Sequence, residues 1–318
     1  MKISLKISLL LIILIVAILL AITKGSVDIP LAELLLKENW QVLYLRILRI
    51  LVAIIAGSGL AVSGIALQAI LRNPLAEPYL LGTSSGAGLG AVIAIILGIS
   101  SIYLPLAAFL GAILSIILVY QLAKQGSRIP VQSLILSGVI VSIALSGIMV
   151  FLISVSPNEA LHGIMWWLWG SLQFYDPKLL LLVGMVVALG TFAIFIFSQD
   201  LNAISIGDEE AIHLGINTET IKKILFFITS LITAGIVSIC GVIGFVGLII
   251  PHLTRLIVGP NHKTLIPASC VCAAAFMVIC DIFSRTLFTP LEIPIGIITA
   301  FLGAPVFIIL LKIKQAVK

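Results

Sequence analysis

The side chains in this chain that could carry chemistry are few and far apart. Four histidines (His162, His213, His252 and His262) and four cysteines (Cys240, Cys270, Cys272 and Cys280) are the residue types that ligate metals, relay protons or attack electrophiles. The cysteines form no CxxC pair and no ligand-like spacing, and all four fall inside apolar runs, where a small buried hydrophobe is the simpler reading. A membrane enzyme would need nucleophile, base and ligands concentrated in one place. Here they are scattered, so neither a catalytic centre nor a resident metal or cofactor is expected.

Phosphate chemistry is the next possibility, because residues 71–91 read LRNPLAEPYLLGTSSGAGLGA. A phosphate-binding loop needs GxxxxGK[ST], and no lysine occurs between Lys37 and Lys124. Gly86, Gly88 and Gly90 stand two apart, which also fails the dinucleotide pattern GxGxxG. Gly82, Gly86, Gly90 and Ala94 instead recur every four residues, the spacing that lets one helix face approach another closely. Close helix packing is the expected use.

Ion-coupled transport is a third possibility. It calls for ionisable groups near the middle of a membrane. The acids of this chain stand near expected span ends, with Asp281 and Glu292 close to an external boundary. That weakens the reading as a secondary transporter and keeps it as the alternative.

These residues sit on a scaffold that composition identifies. The sequence is 61% hydrophobic and 10% charged, with a mean hydropathy of +1.30, which excludes an ordinary soluble domain. Apolar runs of about 20 residues, enough to cross roughly 30 Å of hydrocarbon as helices, are expected near 7–23, 47–69, 79–98, 103–123, 132–154, 179–198, 221–243, 245–259, 265–284 and 294–312. The fold class is therefore an all-α polytopic membrane protein of about ten spans, as one transmembrane domain over 1–318. The alternation of a membrane β-barrel is missing. No small-residue cleavage pattern follows the first run, so it reads as a retained span.

Positive charge orients the spans. With the amino terminus inside, Lys2, Lys6, Arg72, Lys124, Arg128, Lys222, Lys223, Arg255, Lys263, Lys312, Lys314 and Lys318 lie at cytoplasmic ends. Lys24, Lys37, Arg46, Arg49, Lys178 and Arg285 lie outside. Twelve against six places both termini in the cytoplasm. The net charge of +5 is then topology, and no nucleic-acid partner is expected.

Three connections are too elaborate for simple turns. Residues 24–46 lie outside with mixed charge. Residues 156–177, outside as well, cluster Trp166, Trp167, Trp169, Phe174 and Tyr175, which suits either a helix along the lipid headgroups or a contact surface. Residues 199–220 are the extensive polar segment inside. Asp208, Glu209 and Glu210 should open a short helix and Gly215 should close it. Ala211, Ile212 and Leu214 give that helix an apolar side, which either packs on its own bundle or needs a partner.

Two elements should be broken at membrane depth. Pro74 and Pro78 prevent a continuous helix after Arg72, and such backbone is tolerated only where protein or water covers it. In CGVIGFVGLIIPHLTRLIVGPNH, residues 240–262, Pro251 is expected to break or tilt the span. Paired interruptions in two halves point to a transporter.

Four runs carry a resemblance: SGIALQAILRNPLAEPYLLGTSSGAG, IGDEEAIHLGIN, GFVGLIIPHLTRLIVGPNHK and EIPIGIITAFLGAPVFIILLK. In this order, from about residue 45 to the carboxy terminus, they resemble the FecCD-type permeases, the membrane subunits of ABC importers for iron-siderophores, haem and cobalamin. The resemblance implies a type II importer permease in the cytoplasmic (inner) membrane, without enzymatic activity of its own. It implies a homodimer around one pathway, cytoplasmic ATPase subunits and an extracytoplasmic substrate-binding protein. It assigns ATPase coupling to Gly207, Asp208, Glu209, Ala211, Leu214 and Gly215, and the cytoplasmic gate to Asn73, Pro74 and Leu75 with Val131 and Gln132. Docking of the binding protein falls to Arg46, Arg49 and Arg285. The residues by themselves also allow interfacial snorkelling for Arg46 and Arg49, and for Arg285 a pair with Asp281 one turn away. The fifth span, LILSGVIVSIALSGIMVFLI, offers only Ser137, Ser142 and Ser146 as hydroxyls and does not name a cargo. Iron-siderophore or haem is the first expectation and cobalamin the next.

Overall fold

The computed structural model describes residues 3–26, 29–34, 36–126, 128–174 and 176–316. Tyr175 of the aromatic cluster and the terminal Lys2 and Lys318 lie outside the described residues. Among the described residues the extended elements are all helices, as apolar sequence in lipid must be if each backbone N–H and C=O is to find a partner. In order the helices are α1 (Ile3–Thr23), α2 (Leu31–Leu34), α3 (Trp40–Ile70), α4 (Thr83–Ile96), α5 (Leu104–Ala123), α6 (Val131–Ser154) and α7 (Asn158–Leu168). They continue as α8 (Pro177–Ile196), α9 (Ser198–Ile206), α10 (Asp208–His213), α11 (Thr218–Cys240), α12 (Val246–Val258), α13 (His262–Thr286) and α14 (Ile295–Ala316). Among the described residues, helices α1, α3, α5, α6, α8, α11 and α13 are the seven long and apolar enough to cross a membrane, and α4, α12 and α14 are shorter apolar helices.

Helix α3 is the central column. It packs against α13, α11, α12 and α8, and most of its apolar stretch is buried, as is that of α11. Helices α1, α6 and α8 keep most of their apolar surface uncovered, which water would penalise and lipid or a partner subunit would not.

The structure departs from the sequence reading in three places. The second span starts at Trp40, so the external connection 24–46 already contains a short helix and the first turns of α3. The inside connection holds two helices, α9 and α10, where one was expected. Pro251 lies inside a continuous α12, and the chain breaks earlier, between Gly241 and Phe245, where Phe245 has φ +70°. A proline deprives the carbonyl four residues back of its donor. For Pro251 that carbonyl belongs to Gly247, and the Gln68 side-chain Nε2 lies 3.4 Å from it.

The two interrupted elements face each other. A short 3-10 turn, Pro78–Leu81, carries the chain into α4. Its Tyr79 hydroxyl accepts the Ile243 N–H at 3.2 Å, and Pro78 lies against Gly247. Broken backbone is thus covered by protein and not by lipid.

Candidate functional site

Helix α10 is built to end abruptly on both sides. Asp208, Glu209 and Glu210 fill its first turn, where carboxylates meet the positive end of the helix dipole. At the other end Gly215 adopts φ +82°, its N–H reaches Ile212 O at 2.8 Å and the Ile216 N–H reaches Ala211 O at 3.0 Å. This pair of bonds is a Schellman cap, which calls for a residue free to take left-handed backbone. The apolar side expected from Ala211, Ile212 and Leu214 divides in two. Ala211 turns inward to a small cluster with Ala203, Ile204 and Ile216. Ile212 and Leu214 are 58% and 71% exposed, and Ile206, at the end of α9, is 75% exposed. Three large aliphatic side chains therefore stand uncovered on one polar segment.

The turn after α3 is capped in the same way. Arg72 N–H bonds Ala69 O at 3.1 Å and Asn73 N–H bonds Gln68 O at 3.1 Å, which puts Arg72, φ +47°, in the left-handed position usually given to glycine. The Asn73 side-chain oxygen then accepts the Leu75 N–H at 2.9 Å, an Asx turn that carries the chain past Pro74. Leu75 is exposed and Pro74 lines a cavity of about 210 Å³ with Gln68, Arg72, Ser205, Arg255 and His262.

Ion pairs join this turn to α10. Asp208 lies 3.4 Å from the Arg72 guanidinium and 2.7 Å from the Lys222 ammonium on α11. Behind the turn, buried Gln68 offers Nε2 to Ala76 O at 3.4 Å and to Leu248 O at 3.3 Å, while its Oε1 accepts from Arg255 at 3.2 Å.

Val131 and Gln132 open α6 directly after Pro130. The loop before them closes on itself through Gln125 and Arg128. Its Ile129 N–H is held at 3.1 Å by the Glu219 carboxylate, in the first turn of α11.

Gly86 and Gly90 give α4 its contact with α5. A Cβ on Gly86 would strike the Gly111 carbonyl, and one on Gly90 the Ala107 carbonyl. Gly82, φ +78°, starts the helix, and its carbonyl accepts the Ser115 hydroxyl at 2.8 Å.

At the opposite end of the bundle the three expected docking arginines converge. Arg46, Arg49 and Arg285 are 6%, 9% and 3% exposed, so none snorkels into an interface. Arg49 pairs with Asp281 at 2.5 Å and with Glu292 at 2.7 Å, and Arg285 pairs with Asp281 at 2.9 Å. Arg46 donates to Ile22 O at 2.6 Å and Arg285 to Lys24 O at 3.1 Å, so both cap the carbonyl end of α1. All three arginines and Glu292 line one notch of about 240 Å³.

Among the described residues no three His, Cys, Asp or Glu gather as metal ligands. His213 is exposed at the end of α10, and His262 bonds Asn202 Oδ1 at 2.7 Å. Sequence reasoning did not single out Gln68, Lys222 or Glu219. Gln68 carried a signal, as the one amide in the apolar run IALQAI; the partner of Glu219 comes from a distant segment, and that of Lys222 from the neighbouring helix α10.

The sequence model of the FecCD transport family matches residues 13–313. The chain is 39% identical over 275 residues to the cobalamin import system permease protein BtuC of Halobacterium salinarum, covering 85% of this chain and 73% of that protein. It is 37% identical over 278 residues to the Fe(3+)-citrate import system permease protein YfmE of Bacillus subtilis, covering 85% and 81%. Among solved structures it is similar to an inward-facing metal-chelate type ABC transporter, with TM-score 0.88 and 32% identity over 98% of this chain and 99% of that one.

Proposed function

The chain belongs to the FecCD transport family and is a multi-pass protein of the cell membrane; from that premise we propose that it is the permease subunit of an ATP-binding-cassette importer for a metal chelate. The observation that carries the proposal is the uncovered patch of Ile206, Ile212 and Leu214 on a capped cytoplasmic segment joined to the turn at Asn73-Pro74-Leu75. Exposed aliphatic surface of this kind marks a partner site. The partner is a cytoplasmic ATPase that supplies the hydrolysis; the permease holds no catalytic centre.

In this reading α10, with Gly207, Asp208, Glu209, Ala211, Leu214 and Gly215, is the coupling helix. Asn73, Pro74, Leu75, Val131 and Gln132 form the cytoplasmic gate. The seven long helices and the three short apolar ones make ten crossings, with both termini in the cytoplasm. Two copies of the chain enclose the pathway. The notch at Arg46, Arg49 and Arg285 receives acidic side chains of an extracytoplasmic binding protein, since an arginine fork suits a carboxylate. The cargo is an iron-siderophore, haem or cobalamin; the printed functions of the two relatives, cobalamin and Fe(3+)-citrate import, support that range.

An ion-coupled carrier has less support. The buried acid that such a carrier would protonate, Asp281, is already held by Arg49 and Arg285. The deciding experiment is ATP hydrolysis by the chain in lipid, alone and with the ATPase and binding protein. No hydrolysis alone, and stimulation by loaded binding protein in the complex, is the expected result. Failure to associate with the ATPase, together with uptake driven by an ion gradient, would replace the proposal with the carrier.

A further inference from the structure

Both parts of the gate are tied to the same cytoplasmic segment, each through one side chain. Asp208 opens α10 and holds Arg72, the residue before Asn73. Glu219 lies beyond the far end of α10, in the first turn of α11, and its carboxylate holds the Ile129 N–H, two residues before Val131. The segment from Asp208 to Glu219 therefore has a gate strand fastened at each end, with the exposed Ile212 and Leu214 between the fastenings.

We infer that Arg72 and Glu219 are the positioning residues that transmit movement of α10 to the two gate elements, Arg72 to the Asn73-Pro74-Leu75 turn and Glu219 to the Val131-Gln132 loop. The inference rests on the coupling and gate roles proposed above.

Three features make Arg72 a connector and not an incidental surface charge. Its backbone is left-handed, φ +47°, a conformation disfavoured for a residue with a Cβ. A glycine would serve the helix cap better, so the side chain is kept in that position at some cost to the backbone. Its partner Asp208 is also held 2.7 Å from Lys222, whose side chain is buried, so the acid that Arg72 grips is itself fixed to α11. Finally, the turn is bonded back to α3 on both sides, through Asn73 N–H to Gln68 O and through Gln68 to Ala76 O, so it moves as one piece, and the Arg72 side chain links that piece to α10. An exposed ion pair adds little to stability. A role in transmission needs only that the pair hold direction during a movement, not that it hold the fold.

Glu219 makes a different kind of attachment. It bonds a backbone N–H, so what it moves is the main chain that leads into Pro130 and α6. The two attachments act on separate strands, and the inference therefore makes a selective prediction.

The test uses the assembled complex of permease and ATPase in lipid nanodiscs, with one cysteine added, by Leu75→Cys or by Gln132→Cys. Labelling by a water-soluble maleimide is compared between the nucleotide-free complex and the complex trapped with ATP and vanadate, with the signal of the four native cysteines subtracted. In the otherwise unaltered chain both positions are expected to change their labelling rate on trapping. Arg72→Gly, which suits the left-handed backbone and so spares the fold, is expected to abolish the change at position 75 and leave that at position 132. Glu219→Ala is expected to do the reverse. Arg72→Lys is expected to restore the response at 75, and both variants should keep ATP hydrolysis. Persistence of both responses in the Arg72→Gly, Glu219→Ala double variant overturns the inference while leaving the importer reading in place. Loss of both responses in either single variant also overturns it, because a general structural role would act that way. An unaltered complex that binds the ATPase but shows no response at either position overturns the gate assignment and the inference together.

Discussion

The side-chain amide of Gln68 lies 3.4 Å from the carbonyl oxygen of Gly247, the group that Pro251 leaves without its helical donor. One amide on the central helix thus repairs a defect that a proline makes on a neighbouring helix. It also reaches Ala76 and Arg255 at the edge of the proposed gate. Gly64, one turn before Gln68, has no Cβ to hold the two helices apart, and a Cβ there would strike the Gly247 carbonyl.

Gln68→Leu should lower stability by about 1–3 kcal/mol, since buried carbonyls and Arg255 lose their partner. Pro251→Ala restores the missing N–H and should reduce that cost. Thermal unfolding of the two single variants and the double variant in detergent measures the difference. Equal costs in both backgrounds would show that Gln68 does not serve the Gly247 carbonyl.

Gly90→Ala should destabilise by about 1–3 kcal/mol through overpacking of α4 on α5. Gly147→Ala on α6, where a Cβ meets nothing within 4 Å, should be neutral or stabilising by up to about 1 kcal/mol through helix propensity. Unfolding temperatures of the two variants give the comparison.

Asp281→Ala leaves Arg49 and Arg285 buried without their shared acid, and should cost about 3–5 kcal/mol. Glu292→Ala should cost less, because Arg49 keeps Asp281. If the two variants unfold at the same temperature, the assignment of Asp281 as the shared acid is wrong.

Ile212→Asp together with Leu214→Asp should abolish association with the ATPase and leave the unfolding temperature unchanged, since both side chains are exposed. Co-purification in detergent and thermal unfolding report the two effects separately. Retained association would remove α10 as the coupling surface.

Arg46→Gln should weaken the binding protein by about tenfold, the worth of a charge-assisted hydrogen bond. The loss should be larger at low salt, where attraction between the notch and acidic side chains of the binding protein is least screened. Affinity measured at two ionic strengths provides the test, and an unchanged affinity would leave Arg46 with only its role as a cap on α1.

Much of this arrangement was legible in the chain. Hydropathy alone marks the membrane helices, because lipid leaves the backbone no alternative to internal hydrogen bonds. Gly215 announces the end of α10, and the four-residue spacing of Gly86 and Gly90 announces a close helix contact, because both depend on local geometry, whereas Gly82 stands before α4 as its left-handed cap. The reading of Pro251 as a break failed for the opposite reason. Whether a proline interrupts a helix depends on what supplies the missing donor, and Gln68 stands on another helix, α3, far away in the chain.

The sequence by itself determined a polytopic helical membrane protein, its family resemblance and the ends of its polar helix, all properties of neighbouring residues and of solvent preference. The Arg285–Asp281 pair one turn apart was also open to the sequence, but tertiary structure alone decided that Arg49 and Glu292 join it in one charge cluster. It also decided that Asp208 and Glu219 reach two separate segments, one at Arg72 and the other at Ile129. Charges pair by distance in space, and in a bundle whose central helix packs against helices from distant parts of the chain that distance is set by helix packing and not by position along the chain.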